Sequence, residues 1–178
     1  LQSPETKRFE LIGYNYRMNE FSAAVALAQT ERIDFFLKLR RKVSKELLKI
    51  IKNSNILKAQ KISKKTYSTY YTLSAKLIDK SVNWHFFRKK FIENGGDPIY
   101  AASKILQDEP SIKYSKEGRC YKSCNKKCLI RCSGTPIAKK LQKQIFNFTT
   151  NQKSKKDIKM QTIALKKTIK FFENLRNE

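Results

Sequence analysis

Apolar residues recur at helical spacing in two long segments of the chain. In residues 34–52, and again from Ser154 onward, they follow steps of three and four, so each segment predicts an amphipathic helix with one buried stripe. Ser154-x-x-Asp157 resembles a capping box and marks the start of the second helix. The predicted stripes are Phe36, Leu39, Val43, Leu47 and Ile50, then Ile158, Thr162, Leu165, Ile169 and Phe172.

The rest of the pattern mixes one further helix with short strands. Residues 18–30 predict a helix that is rich in alanine and capped by Asn19 or Asn15. Residues 66–77 are rich in Thr and Tyr and predict a strand, and residues 56–62 are a weaker strand candidate. The remaining predictions are a helix at 84–93 ended by Gly95-Gly96, an extended segment at 97–100, a loop at 107–134 and a helix at 136–146. This order predicts an α+β fold with a small sheet covered by helices.

Composition narrows the class of protein. The 178 residues allow one domain or a little more, and 40% hydrophobic residues argue for a packed core. With 39 Lys and Arg against 15 Asp and Glu, the formal charge is +24, which raises nucleic-acid binding as a hypothesis. The charges are spread along the whole chain, and 30 Lys against nine Arg also fits the codon bias of a low-GC genome. A basic nucleic-acid- or anion-binding module without catalysis is therefore kept as the alternative function, and nucleic acid is not the expected partner.

Nothing in the sequence predicts a membrane partner. The longest apolar stretch, residues 21–28, is interrupted by Ser22, whereas a membrane span needs about 20 residues. The first ten residues, LQSPETKRFE, have neither an initiating Met nor the apolar segment of a secretory signal. We therefore expect a cytoplasmic protein and a chain that begins inside a longer one.

Four cysteines and one histidine are the obvious candidates for metal or redox chemistry. The cysteines recur every four residues, a spacing that cannot bring all four around one zinc on a straight helix. We predict a loop of reduced thiols and no metal, with a zinc site in a folded loop and a disulfide framework as alternatives. His85 lies between Trp84 and Phe86 and is expected to be a packing or surface residue. The cysteines are Cys120, Cys124, Cys128 and Cys132.

The stretch from Gly13 to Asp34, GYNYRMNEFSAAVALAQTERID, resembles a signature of the DegT/StrS-type nucleotide-sugar aminotransferases. These are pyridoxal-phosphate enzymes of the aspartate aminotransferase fold type. Arg40-Arg41 extends the likeness, and residues 94–110 and 135–151 resemble a subgroup that makes amino-deoxy sugars for surface polysaccharides. Thr30 departs from the usual Leu. The matching positions are Gly13, Asn15, Arg17, Asn19, Glu20, Ala23, Ala24 and Gln29.

The resemblance implies a domain organisation and an activity. Residues 1–33 would be the truncated end of the large cofactor-binding domain. Residues 34–178 would be the C-terminal small domain, with a mostly antiparallel sheet and a Cys-containing loop at 107–134. The enzyme would move an amino group from an amino acid, usually glutamate, to a keto sugar nucleotide, as a homodimer with a shared active site. The lysine that forms the Schiff base with pyridoxal phosphate would precede Gly13, so no catalytic residue is assigned here and the chain alone is expected to be inactive.

The resemblance also suggests site residues. It implies that Asn15 binds the cofactor phosphate of the neighbouring subunit, since an amide donates hydrogen bonds without adding charge. Arg17 would bind a carboxylate or phosphate of the amino donor or the sugar nucleotide. Tyr14 and Tyr16 would line the same crevice, and Tyr100 would approach the sugar. The alternatives are helix capping for Asn15, an ion pair with Glu20 for Arg17, and packing for the tyrosines.

Overall fold

The computed structural model describes residues 17–101, 105 and 135–176. The chain divides into two compact units, Leu1–Phe36 and Leu37–Glu178. The predicted Cys-containing loop, Tyr14, Asn15 and Tyr16 lie outside the described residues. The assignment of the units to a larger and a smaller domain remains a prediction.

The first unit contains helix α1, Glu20–Glu31. Asn19 caps it, because its Oδ1 accepts a hydrogen bond from the backbone N–H of Ser22 at 2.8 Å. The predicted helix at 18–30 is thus confirmed with a shift of one or two residues. No residue of α1 is buried, and Phe21 is 88% exposed.

Helix α2, Ile33–Lys52, begins in the first unit and continues into the second. In the second unit its buried positions are Val43, Ser44, Leu47 and Ile51. The prediction that Ile50 is the last core residue of this helix is wrong by one position. Ile51 is the buried residue, at 1% exposure, whereas Ile50 is only partly buried.

Four strands form one antiparallel sheet within the described part of the second unit. They are β1 Leu57–Ala59, β2 Thr72–Leu77, β3 Tyr100–Ala101 and β4 Ile145–Thr149, in the order β1-β2-β4-β3. All three pairings are antiparallel, and Leu73 of β2 lies opposite Phe148 of β4. The predicted α+β class and antiparallel sheet are confirmed.

The helix predicted at 136–146 is wrong in its last part. Helix α4 covers only Pro136–Gln142, and β4 follows at once. From Ile145 to Thr149 the burial alternates, with Phe146 and Phe148 in the core and Asn147 on the other face, which is the pattern of a half-buried strand. The segment is short, and its apolar spacing fits both periods.

The strand predictions were too long. The strands themselves cover only Leu57–Ala59 of 56–62 and Thr72–Leu77 of 66–77. Tyr70 has a φ of +50°, which is incompatible with an extended strand. Side chains described below donate hydrogen bonds to the carbonyl oxygens of Ser68, Tyr70 and Tyr71 in place of a sheet partner.

Helices α3, Trp84–Glu93, and α5, Lys155–Leu175, complete the fold. Their buried faces join α2 and one face of the sheet in a single core that is rich in phenylalanine. The predicted capping box at Ser154 and Asp157 is confirmed. The predicted stripe of α5 is buried except for Thr162, which is half-buried. The aromatic residues at the centre are Phe87, Phe91, Phe146, Phe148 and Phe172.

Candidate functional site

The N-terminal motif is partly described. Tyr14, Asn15 and Tyr16 lie outside the described residues, whereas Arg17 is exposed and stands two residues before the cap of α1. Because Asn19 makes the capping hydrogen bond, the choice between Asn19 and Asn15 as cap is settled for Asn19.

Arg17 presents an exposed guanidinium near the amino end of a helix. Over the described ranges it forms neither the alternative ion pair with Glu20 nor another salt bridge. The first turns of a helix carry partial positive charge, and a guanidinium binds phosphate and carboxylate through paired hydrogen bonds. The donors present here therefore fit the anionic end of a cofactor or substrate such as pyridoxal phosphate.

Two arginines of α2 hold the segment that precedes β2. Arg40 Nη1 donates hydrogen bonds to the carbonyl oxygen of Tyr71 at 2.9 Å and to Thr150 Oγ1 at 3.0 Å. Arg41 Nη1 donates to the carbonyl oxygen of Ser68 at 3.1 Å, and its guanidinium lies 3.9 Å from the centre of the Tyr67 ring. The resemblance marked both arginines without giving them a role; the structure shows that they fix a loop.

Thr150 completes this arrangement from the end of β4. Its side chain is fully buried, and Oγ1 lies 2.6 Å from the carbonyl oxygen of Tyr70 and 3.1 Å from that of Tyr71. The hydroxyl donates its one proton to these carbonyls and accepts from Arg40. The backbone of residues 66–71 is therefore held by side chains, which is why it does not extend β2.

Tyr100 begins β3, where its backbone lies opposite Asn147 of β4. A polar cluster precedes it in the chain. The Asp97 N–H donates to Gln161 Oε1 at 2.8 Å, and Asp97 Oδ2 accepts from Gln152 Nε2 at 2.7 Å. The cluster ties the start of β3 to the loop after β4 and to α5. Asp97 stands inside the 94–110 motif, but its partners could not be found from spacing because they lie 55 and 64 residues further on.

The residues considered for metal or redox chemistry are His85 and the four cysteines, and of these the structure describes only His85. His85 is exposed, and its ring lies at the edge of Trp84 with 5.0 Å between ring centres. Among the residues that the structure describes, no group of three or more His, Cys, Asp or Glu side chains is placed to hold a metal ion. The four cysteines fall outside those residues, so the metal and disulfide alternatives stay open. In the same part of the chain, no helix is long and apolar enough to cross a membrane.

Among the described residues, three carboxylates have a lowered pKa. Hydrogen bonds from the Ser81 side chain and backbone lower the pKa of Asp79. Hydrogen bonds from the Ser154 side chain and backbone lower the pKa of Asp157. The pKa of Glu46 is lowered first by a hydrogen bond from Lys49 and further by the charges of Lys45 and Lys42. The pKa is therefore lowered by a turn at Asp79, by a helix cap at Asp157 and by neighbouring lysines at Glu46.

Solved structures with the same fold are aminotransferases. A sugar aminotransferase from Micromonospora echinospora superposes with a TM-score of 0.64 at 14% identity, over 87% of this chain and 37% of that one. An aminotransferase from Psychrobacter cryohalolentis gives 0.66 at 17% identity, over 98% of this chain and 44% of that one. At such low identity these matches show the fold, which this chain shares with a part of each of these structures.

The family follows from sequence. The model of the DegT/DnrJ/EryC1/StrS aminotransferase family matches residues 2–103, more than half of the chain, and the chain belongs to that family. Members of the family are pyridoxal-phosphate-dependent aminotransferases. GDP-perosamine synthase of Escherichia coli O157:H7 is 37% identical over 65 residues, which are 36% of this chain and 17% of the synthase. The chain therefore spans less than half the length of the relatives it matches. The resemblance seen in the sequence is confirmed.

Proposed function

We propose that the protein containing this chain transfers an amino group from an amino acid, glutamate, to the keto group of a nucleotide-linked sugar. The observation that carries the proposal is the family match to residues 2–103. The 37% identity to a protein named for a GDP-linked sugar supports a nucleotide sugar as the acceptor. The likeness of residues 94–110 and 135–151 to a polysaccharide-associated subgroup favours the synthesis of amino-deoxy sugars for surface polysaccharides.

The residues of this chain would bind and orient, while bound pyridoxal phosphate supplies the electron sink of the amino transfer. Asn15 would donate its amide N–H to a phosphate oxygen of the cofactor in the neighbouring subunit. Arg17 would hold the carboxylate of the amino donor or a phosphate of the sugar nucleotide. The exposure of Arg17 supports this role, and the capping by Asn19 removes one alternative for Asn15.

Three tyrosines would complete the site. Tyr14 and Tyr16 would line the crevice around Asn15. Tyr100 would approach the sugar, and this is supported by its place on β3, the outer strand of the described sheet, which directly follows the Asp97 cluster.

We further propose that residues 1–33 end a large domain, that residues 34–178 form the small domain, and that the cytoplasmic enzyme is a homodimer with a shared active site. The exposed apolar side chains of α1, Phe21 at 88% and Val25 at 63%, support a covering by other parts of the protein. The reactive lysine would belong to those parts. The 178-residue chain would then have no activity by itself.

The test compares the complete gene product with this chain. With glutamate and a keto sugar nucleotide, the complete protein should release 2-oxoglutarate and a sugar amine, and it should carry the visible absorbance of bound cofactor. The separate chain should do neither. A complete protein that binds no pyridoxal phosphate at millimolar concentration would refute the proposal.

Asn15 has a matched control in Asn19, which is also an asparagine close to α1. We expect Asn15→Ala to weaken pyridoxal-phosphate binding in the complete protein by tenfold or more, because a hydrogen bond to a charged group contributes about 1.5–3 kcal/mol. Asn19→Ala should instead destabilise α1 by about 1 kcal/mol and leave cofactor affinity unchanged. Equal cofactor affinity in wild type and Asn15→Ala would remove Asn15 from the site.

A further inference from the structure

Helix α2 carries a straight row of lysines on its exposed face. Lys38, Lys42, Lys45, Lys49 and Lys52 follow steps of four and three, and all five are exposed. Such steps keep side chains on one face, and the 14 steps along the helix from Lys38 to Lys52 span about 21 Å. Charge that looks evenly spread along the sequence is therefore gathered in three dimensions. We call this row the lysine row.

The lysine row borders a continuous groove. Two adjoining depressions of about 650 and 620 Å³ share Leu48, Lys52 and Tyr70. The first is lined by all five lysines of the row together with Arg41, and the second adds Lys58 and Lys61. Its floor is apolar, with Leu48, Ile51 and Leu57. We call the two together the basic groove.

Acidic residues are absent from this groove but not from its neighbour. No Asp or Glu of the described residues lines either depression of the basic groove. On the other side of α2, a depression of about 650 Å³ includes Glu46 and Glu173 beside Lys49 and Lys170. Lys49 lines both this depression and the basic groove and donates to Glu46 at 2.9 Å, so one lysine of the row is paired with a carboxylate. Lys38, Arg41, Lys42 and Lys45 line only the basic groove, and their charges give that side of the helix its positive potential.

An exposed aromatic side chain stands beside the basic groove. Tyr67 is 70% exposed, and one face of its ring is covered by Arg41, which lines the groove. Grooves that bind single-stranded nucleic acid combine basic side chains along the phosphates with exposed aromatic rings on which bases stack. A flat lipid surface would not enter a concave groove.

We propose that the basic groove binds single-stranded nucleic acid, with the lysine row along the phosphates and Tyr67 as a stacking platform for a base. This interaction is independent of the amino transfer proposed above. It requires no base-specific contact, so we expect weak sequence preference and strong dependence on salt.

Two triple variants with the same charge test the role of the groove. Lys38→Gln/Lys42→Gln/Lys45→Gln removes three charges from the lysine row. Lys155→Gln/Lys159→Gln/Lys167→Gln removes three exposed charges from α5, none of which lines a depression described above. The probe is a fluorescent single-stranded oligonucleotide of about 12 nucleotides and mixed sequence. Binding is measured by anisotropy with the complete gene product, and circular dichroism checks that each variant is folded.

The row variant should bind about 100-fold more weakly in 0.1 M salt. Its plot of log affinity against log salt should be shallower by about two units, since each lost phosphate contact on a single strand removes about 0.7. The α5 variant should change affinity less than threefold. Equal losses in both variants, or no binding by the complete wild-type protein at low salt, would overturn the proposal.

Tyr67 distinguishes nucleic acid from other polyanions. Tyr67→Leu should weaken oligonucleotide binding by about fivefold or more, because stacking on an aromatic ring is lost. It should leave the binding of inorganic polyphosphate unchanged. If the variant binds the oligonucleotide as wild type does, or if phosphatidylserine vesicles bind more tightly than the oligonucleotide, the assignment to nucleic acid is wrong.

Discussion

Thr150 holds the loop before β2, and removing its hydroxyl should release that loop. Thr150→Val keeps the shape of the buried side chain but removes the donor to the Tyr70 carbonyl at 2.6 Å and the acceptor for Arg40 at 3.0 Å. Leaving a buried carbonyl without a partner costs about 1–3 kcal/mol. Arg40 keeps the Tyr71 carbonyl at 2.9 Å, so its loss is smaller. We expect the local opening free energy to fall by about 2 kcal/mol.

Hydrogen exchange read by mass spectrometry measures this opening. A fall of about 2 kcal/mol corresponds to roughly 30-fold faster exchange in the peptide that covers residues 66–72. Thr162→Val is a matched control, because it makes the same chemical change where the hydroxyl donates only to the Lys159 carbonyl of its own helix. It should leave the exchange of that peptide unchanged. If Thr150→Val also leaves it unchanged, side chains do not hold this loop.

A double variant separates the hydroxyl from the guanidinium. If Thr150 and Arg40 act together, Arg40→Met/Thr150→Val should cost less than the sum of the two single changes, since each single change already breaks their shared bond at 3.0 Å. Additive effects on exchange would mean that the two side chains hold the loop independently.

Two further predictions concern the turn after α3 and the start of α5. Gly96→Ala should destabilise the protein by about 1–3 kcal/mol in thermal unfolding, because a Cβ there would overlap the buried Phe91 ring; an unchanged melting temperature would contradict this. The lowered pKa of Asp157 means that its stabilising effect is present above its ordinary pKa of 3.8 and is lost as the pH falls through the folded-state pKa. The melting temperature of Asp157→Asn should therefore fall less than that of wild type between pH 6 and pH 3, and parallel falls would show that the cap does not depend on this charge.

The long helices α2 and α5 could be predicted from the sequence because the spacing of apolar residues alone is enough to define a helix of that length. The buried faces of α2 and α5 follow from apolar spacing, and the capping box from Ser154 and Asp157. The segment that became β4 could not be predicted, because five residues fit both periods and only pairing with β2 decides between them. The non-extended loop at 66–71 depends on Thr150, about 80 residues further on.

Some features of the candidate site and of the basic groove could likewise be found from local sequence, whereas others depend on tertiary packing. A local motif pointed to the family, and Arg17 and the cap at Asn19 could be located from it. The lysine row was also visible in the sequence as steps of four and three, but a count of charges along the chain conceals it. That no described Asp or Glu lines the basic groove follows from the packing of α2 beside β1 and the loop at 60–62, which no local pattern encodes.

The order of the strands has a consequence for synthesis. β4 occupies an inner position of the sheet between β2 and β3, yet among the strands that the structure describes it leaves the ribosome after the other three. Until about residue 149 has emerged, β2 has an open edge and its apolar side, Leu73 and Leu77, has no aromatic cover from Phe146 and Phe148. Nascent chains stopped before that point would be substrates for chaperones and prone to pair with one another.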